Sequence, residues 1–167
     1  MKVILLAAIS IDGKIAQSEE QISVDWTSKE DTKFFIKKTK ESGVVIMGRK
    51  TFDTIGKPLK DRKIVVMTRD VNDKTDLDGV SFTDKSASEI IQDLRGDGCE
   101  SVVVAGGASI YELFLKEGLI TDLYLTIEPV VFGGGVDFVK NISRLDLKLV
   151  DVSRLGEKAV LVHYHIV

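Results

Sequence analysis

Asp31 and Phe35 stand four residues apart in the run Trp26-Thr27-Ser28-Lys29-Glu30-Asp31-Thr32-Lys33-Phe34-Phe35. If the run is helical, Asp31 shares a face with Phe34 and Phe35, because side chains three and four positions apart lie over one another. A carboxylate on an apolar helix face is costly to bury unless it has a partner or a task. It is either solvated at the rim of the helix or held in a semi-buried pocket with a raised pKa, which suits it to proton delivery.

A second chemistry is written at three places where an apolar run ends. After Val44-Val45-Ile46-Met47 comes Gly48-Arg49-Lys50-Thr51, a glycine turn followed by two cations and a hydroxyl. Amides at the start of a helix, together with such side chains, form a natural phosphate site. After Met67 come Thr68 and Arg69. After Val104 comes Ala105-Gly106-Gly107-Ala108-Ser109, another glycine turn that opens a helix. Each alone has a plain structural explanation, close strand–helix packing. Together at one sheet edge they point to a phosphorylated, nucleotide-like ligand. The spacing matches neither Gly-x-Gly-x-x-Gly nor a Walker loop.

These groups need elements to hold them. Thr27 with Glu30 reads as a capping box, so a helix is expected from Ser28 to about Lys40. Further helices are expected over Lys50 to about Thr54, Ser86 to about Leu94 and Ser109 to about Lys116. Strands are expected at Lys2–Ile9, Val44–Met47, Lys63–Met67, Val80–Phe82, Ser101–Val104, Asp122–Ile127, Leu147–Ser153 and Ala159–Ile166. Several are continuous apolar runs, as in strands covered on both faces. The last two read as a hairpin around Leu155-Gly156-Glu157-Lys158. The pattern predicts an α/β fold with a largely parallel sheet, an antiparallel C-terminal edge, and ligands bound beyond the carboxyl ends of the strands. Asp70 to Asp78 reads as a polar loop within one domain spanning residues 1–167.

Composition narrows the function classes. The 167 residues are 44% hydrophobic and 29% charged, which is ordinary for a globular domain. A net charge of −3, with acids and bases mixed, leaves no footprint for nucleic acid or an anionic membrane. No apolar run is long enough to span a bilayer, and the run Val3–Ile9 reads as a buried strand rather than a signal peptide. The one cysteine, Cys99, forms no internal disulfide and fits a reducing compartment, hence a cytoplasmic protein. His163 and His165 alternate in a strand without a carboxylate or cysteine cluster in the sequence nearby, so no metal site is expected.

Trp26-x-x-x-x-Asp31, Met47-Gly48-Arg49-Lys50-Thr51-Phe52, Ile55-Gly56-Lys57-Pro58-Leu59-x-x-Arg62, Gly106-Gly107 with Tyr111, and Leu123-Tyr124-Leu125-Thr126 occur in one order along almost the whole chain. In this the chain resembles the dihydrofolate reductase superfamily. The resemblance implies that family's three-layer fold, with a mostly parallel central sheet, an antiparallel C-terminal edge and helices on both faces. Trp26, Asp31 and Gly48 to Arg62 look like true dihydrofolate reductases. Ser10 to Ala16, Leu119 to Asp122, Glu128 to Gly135 and the Arg154-Leu155-Gly156-Glu157 turn look like the riboflavin-pathway pyrimidine reductases. The Asp-Asp-Pro motif common in the latter after their glycine turn is absent.

The resemblance implies NADPH-dependent reduction of 7,8-dihydrofolate. The alternatives it leaves are reduction of a ribosylaminopyrimidine phosphate and a non-catalytic nucleotide binder. Asp31 would hold the pteridine and help protonate N5, with Thr126 supporting it. Ala8, Trp26, Phe35 and Ile55 would complete the substrate pocket, and Arg62 would pair with the substrate's α-carboxylate. Read locally, Arg62 is a surface salt bridge in the run Lys60-Asp61-Arg62-Lys63. NADPH would meet Ala8, Ile15, Gly48, Arg49, Lys50, Thr51, Thr68, Arg69, Ala105, Gly106, Gly107, Ala108, Ser109, Ile110 and Tyr111, with a cis peptide at Gly106-Gly107. Ile15 to Trp26 would be the loop that closes over the nicotinamide. It is acidic here (Glu19, Glu20), and Asp25 stands where the family has proline. Folate reductases of this kind tend to be monomers and pyrimidine reductases dimers, so both states stay open.

Overall fold

The apolar run near the N-terminus becomes the middle of the sheet, because residues Val3 to Ala7 are all buried and have no polar face to turn outward. The computed structural model describes residues 1–21, 23–71 and 77–167. The elements in chain order are β1 (Lys2–Ile9), β2 (Lys14–Ala16), α1 (Lys29–Ser42), β3 (Val44–Gly48), α2 (Arg49–Ile55), β4 (Lys63–Met67), β5 (Val80–Thr83), α3 (Ala87–Gly96), β6 (Ser101–Val104), α4 (Ala108–Lys116), β7 (Asp122–Ile127), β8 (Val136–Asp137), β9 (Leu147–Leu155) and β10 (Ala159–Ile166), with a 3-10 turn at Ser23–Asp25. The predicted loop at Asp70 to Asp78 lies partly outside the described residues.

One sheet runs in the order β5-β4-β3-β6-β1-β7-β10-β9. Its first six strands are mutually parallel, and β10 returns antiparallel to β7 and β9. Alternating side chains divide between two layers. Val3, Leu5, Ile46, Val102 and Val104 pack with α3 and α4. Ile4, Leu6 and Val103 pack against Phe34 and Phe35 of α1, while Val45, Met47 and Val66 pack against Phe52 of α2. The expected three-layer α/β fold is therefore present, with helices on both faces.

The start of α1 differs from the expected capping box. Ser28, extended at φ −68° and ψ 155°, is the cap, and its Oγ accepts the Asp31 N–H at 3.2 Å. Glu30 then sits one position too early to reach back. Glu128 takes its place, with Oε1 accepting both the Ser28 N–H and its hydroxyl, each at 2.7 Å. A tertiary partner here outcompetes the local one. A full capping box forms instead at α3, between Ser86 and Glu89, where only a helix start was expected.

A second sheet, β2 with β8, was not expected, because two- and three-residue strands carry no readable period. It is tied by the Lys14–Asp137 ion pair. Asp12 stands beside it, accepting from Ser10 Oγ (2.7 Å), Phe132 N (3.1 Å) and Gly133 N (2.8 Å). These bonds, that from Ser10 foremost, hold its carboxyl down to about 2. Gly135, at φ +121°, approaches so closely that a Cβ would lie 2.3 Å from the Ala16 carbonyl oxygen. Two of the segments that look like pyrimidine reductases, Ser10–Ala16 and Glu128–Gly135, therefore pack on each other.

Candidate active site

A cleft of about 1790 Å³ opens at the carboxyl ends of the parallel strands. It is lined by Ala8, Ile15, Asp31, Phe35, Gly48, Arg49, Lys50, Thr51, Ile55, Arg62, Thr68, Arg69, Ala105, Gly106, Gly107, Ala108, Ser109, Ile110 and Tyr111. The predicted site residues that do not line it are Trp26 and Thr126. Trp26 packs edge-on against Phe132, ring centroids 5.1 Å apart, and lines a separate depression with Glu128 and the Leu155–Lys158 turn. Thr126 is fully buried in β7.

Asp31 is half-buried on the cleft wall. Desolvation pushes its carboxyl above the usual range and the nearby Glu128 adds to this, while the hydroxyls of Thr126 and Thr27 beside it pull the other way. The Thr126 hydroxyl is close to Asp31 but makes no hydrogen bond of normal geometry, and Trp26 Nε1 is likewise buried without a partner. The rim reading of Asp31 is set aside by this burial: the group faces the cleft from within the apolar face of α1.

Asp31, Phe35 and Thr39 form one stripe along α1, at four-residue spacing. Thr39 is fully buried; its hydroxyl donates to the Phe35 carbonyl at 2.7 Å and accepts from Arg62 Nη1 at 2.9 Å. Arg62 Nε donates to the Lys60 carbonyl at 3.0 Å. Among the described residues no carboxylate lies within 4.0 Å of this guanidinium; Asp61 pairs instead with Lys40. Partial burial draws the Arg62 pKa down from its ordinary value. The local salt-bridge reading of Arg62 therefore fails. It is a cation held by neutral acceptors on the wall of a cleft. Eight residues at 1.5 Å each put its anchor Thr39 roughly 12 Å along the helix from Asp31.

At the other end, α2 and α4 begin at Gly48 and Gly107, neither with a side-chain cap, so no side-chain acceptor occupies their first-turn amides. The Gly106-Gly107 peptide is cis, as the resemblance implied. A Cβ on Gly106 would lie 3.0 Å from the Tyr111 ring and hydroxyl, and that hydroxyl donates to the Leu6 carbonyl at 2.7 Å. Burial raises the Tyr111 pKa, so the phenol stays a neutral donor. Arg49 donates from Nε to Asp53 at 2.7 Å and lies 5.6 Å from the Phe82 ring centre. Lys50 is engaged by Glu19 of the acidic loop at 2.6 Å, an exposed pair that adds little stability. Glycine turns, uncapped amides and cations together fit an anionic, phosphate-bearing cofactor.

Glu128 and Thr39 were not anticipated. The four-residue stripe from Asp31 was the available signal for Thr39; nothing local marked Glu128. Elsewhere, His163 Nε2 lies 2.8 Å from Asp122 and its ring stacks on Tyr124. Among the described residues no group of three or more histidine, cysteine, aspartate or glutamate side chains could hold a metal, and no helix is long and apolar enough to cross a membrane.

Comparison with known proteins adds a family. The profile of the family described as dihydrofolate reductase matches residues 2–153. An uncharacterized protein of Bacillus subtilis, YwjB, is 28% identical over 172 residues, covering 98% of this chain and 97% of that one. A dihydrofolate reductase of Staphylococcus aureus is 33% identical over 113 residues, 68% of this chain and 64% of that enzyme. Among solved structures, a putative riboflavin biosynthesis protein from Shewanella sp. PV-4 superposes with a TM-score of 0.84 at 23% identity, covering 100% and 99% of the two chains. RibD of Acinetobacter baumannii gives 0.82 at 19% identity, with this chain spanning 58% of its length. The two structures share the fold.

Proposed function

Because the chain belongs to the dihydrofolate reductase family, a family of oxidoreductases, we propose that it is a cytosolic enzyme that reduces 7,8-dihydrofolate to tetrahydrofolate with NADPH. One observation carries the substrate: a half-buried carboxyl and a carboxylate-free arginine share one cleft, joined by the stripe Asp31–Phe35–Thr39. A ligand with a protonatable heterocycle at one end and a carboxylate at the other matches that spacing. Asp31, with its raised pKa, hydrogen-bonds the pteridine and helps bring a proton to N5. Phe35 and Ile55 pack around the ring and the aminobenzoyl group. Arg62 takes the α-carboxylate with its guanidinium fork.

Bound NADPH would supply the hydride. The uncapped starts of α2 and α4 would hold its phosphates, and Gly106-Gly107 would permit close backbone approach. Arg49 and Arg69 would receive the 2′-phosphate, which offers bidentate acceptors that a hydroxyl lacks. NADPH is therefore expected to be preferred over NADH. Removing both guanidiniums as Arg49→Leu with Arg69→Leu should cut that preference by about 2–4 kcal/mol, from two incompletely additive charge-assisted bonds. Equal kcat/KM for the two cofactors in the wild type would show that these arginines serve another purpose.

The substrate is tested by following NADPH oxidation at 340 nm with dihydrofolate and, separately, with a ribosylaminopyrimidine phosphate. Turnover of dihydrofolate and none of the pyrimidine is expected. The reverse pattern replaces the substrate, and no oxidation with either makes the chain a binding protein.

A further inference from the structure

The acceptor that secures the helix bearing Asp31 comes from a hundred residues away. Glu128, just past β7, is only 3% exposed, and its backbone is fixed by its N–H donating to the Ile9 carbonyl at 2.9 Å. Its Oε1 takes both donors of Ser28 at 2.7 Å, and Ser28 Oγ in turn accepts the Asp31 N–H at 3.2 Å. Among the described residues no lysine, arginine or histidine lies within 4.0 Å of the Glu128 carboxylate. The family comparison and the motifs read from the sequence assign this residue no task.

We propose that Glu128 is a positioning residue for the reaction: through Ser28 it locks the first turn of α1 to the end of β7 and thereby sets where the Asp31 carboxyl meets the substrate. This rests on Asp31 being the group that serves the pteridine. A helix start held by a local box frays with its own turn. One held by a buried side chain on the central sheet moves only with the sheet. The same arrangement has an electrostatic consequence. The groups facing Asp31 are the hydroxyls of Thr27 and Thr126, Glu128 at the end of β7 and the Tyr111 phenol of α4. None is a cation, so the Glu128 charge works with desolvation to keep the proton on Asp31 to higher pH.

The test reads Asp31 directly. Carbon-13 NMR of protein labelled at the aspartate carboxyls, with Asp31→Asn to assign the signal, gives its titration in the wild type and in Glu128→Gln. The glutamine oxygen can accept both Ser28 bonds but carries no charge, so the Asp31 titration is expected to move to lower pH. A purely structural role for Glu128 would change melting and leave this titration in place; an unmoved titration in the folded variant overturns the electrostatic role. The positioning role is read in Ser28→Ala, which keeps both carboxylates and deletes the bridging hydroxyl. It also decides the matter if Glu128→Gln fails to fold. Amide exchange at Asp31 and Thr32 should accelerate about five- to tenfold, the range expected for a lost cap, and exchange at the wild-type rate overturns the link. Neither measurement uses substrate. A failure to turn over dihydrofolate would sink the substrate assignment and leave these results to judge Glu128.

Discussion

Asp31→Asn is expected to lower dihydrofolate turnover at neutral pH by about 10²–10⁴-fold, the usual scale for a lost acid–base group. Asparagine is isosteric and can still form hydrogen bonds, but it neither carries a charge to pair with a protonated pteridine nor takes part in proton delivery. The pKa of Asp31 makes the companion expectation specific. Its carboxyl is raised in the folded protein, chiefly by desolvation. A raised group gives stability that is complete below its unfolded pKa and lost as pH rises through its folded pKa. The wild type loses this contribution as pH rises through that window, whereas asparagine, always neutral, does not. The variant should melt at or above the wild-type temperature at pH 7 while losing activity, the pattern of a site that trades stability for function. Near wild-type kcat in this variant would remove Asp31 from the mechanism.

The second large effect belongs to Arg62. Arg62→Leu should weaken dihydrofolate binding by about 2–4 kcal/mol, since a desolvated carboxylate loses a bidentate cation. That is roughly a 30- to 700-fold rise in KM at 1.4 kcal/mol per decade. Because the carboxylate lies far from the reacting carbon, its contacts are alike in ground and transition states, and kcat should change little. The structure sharpens the expectation, for Arg62 is aimed by neutral acceptors, Thr39 and the Lys60 carbonyl, and gives up no ion pair to bind substrate. Lysine should rescue only in part, keeping charge without the fork. An unchanged KM for dihydrofolate would remove the carboxylate reading.

The parallel strands and their helices were legible because covered strands must be apolar throughout, and Val3–Ala7 or Val44–Met47 can be little else. The cofactor edge was legible for a related reason: glycine turns follow strand ends where helices start, and topology alone brings such ends together. What could not be read were choices made by distant partners. Ser28 rather than Thr27 caps α1 because Glu128 outbids Glu30. Arg62 leaves its charged neighbours because the Thr39 oxygen is presented to it across a helix. Lys50 carries the right charge for a phosphate, yet in the sequence nothing marks Glu19 as the group that meets it. Trp26 and Thr126 belong to the family pattern, but both stand behind the cleft wall, where a motif gives order along the chain and no depth.

The placement of β1 between β6 and β7 also bears on how the chain is made. The strand with the longest run of buried residues precedes the other strands in the chain, and both of its neighbours come after Glu100. At about 5–20 residues per second, that strand goes roughly 5–20 s without either neighbour. Local contacts cannot shorten the wait, because the pairings that bury Val3 and Leu5 are long-range ones. For a growing chain, the segment that will become the least accessible part of the protein is, for most of synthesis, its most exposed liability.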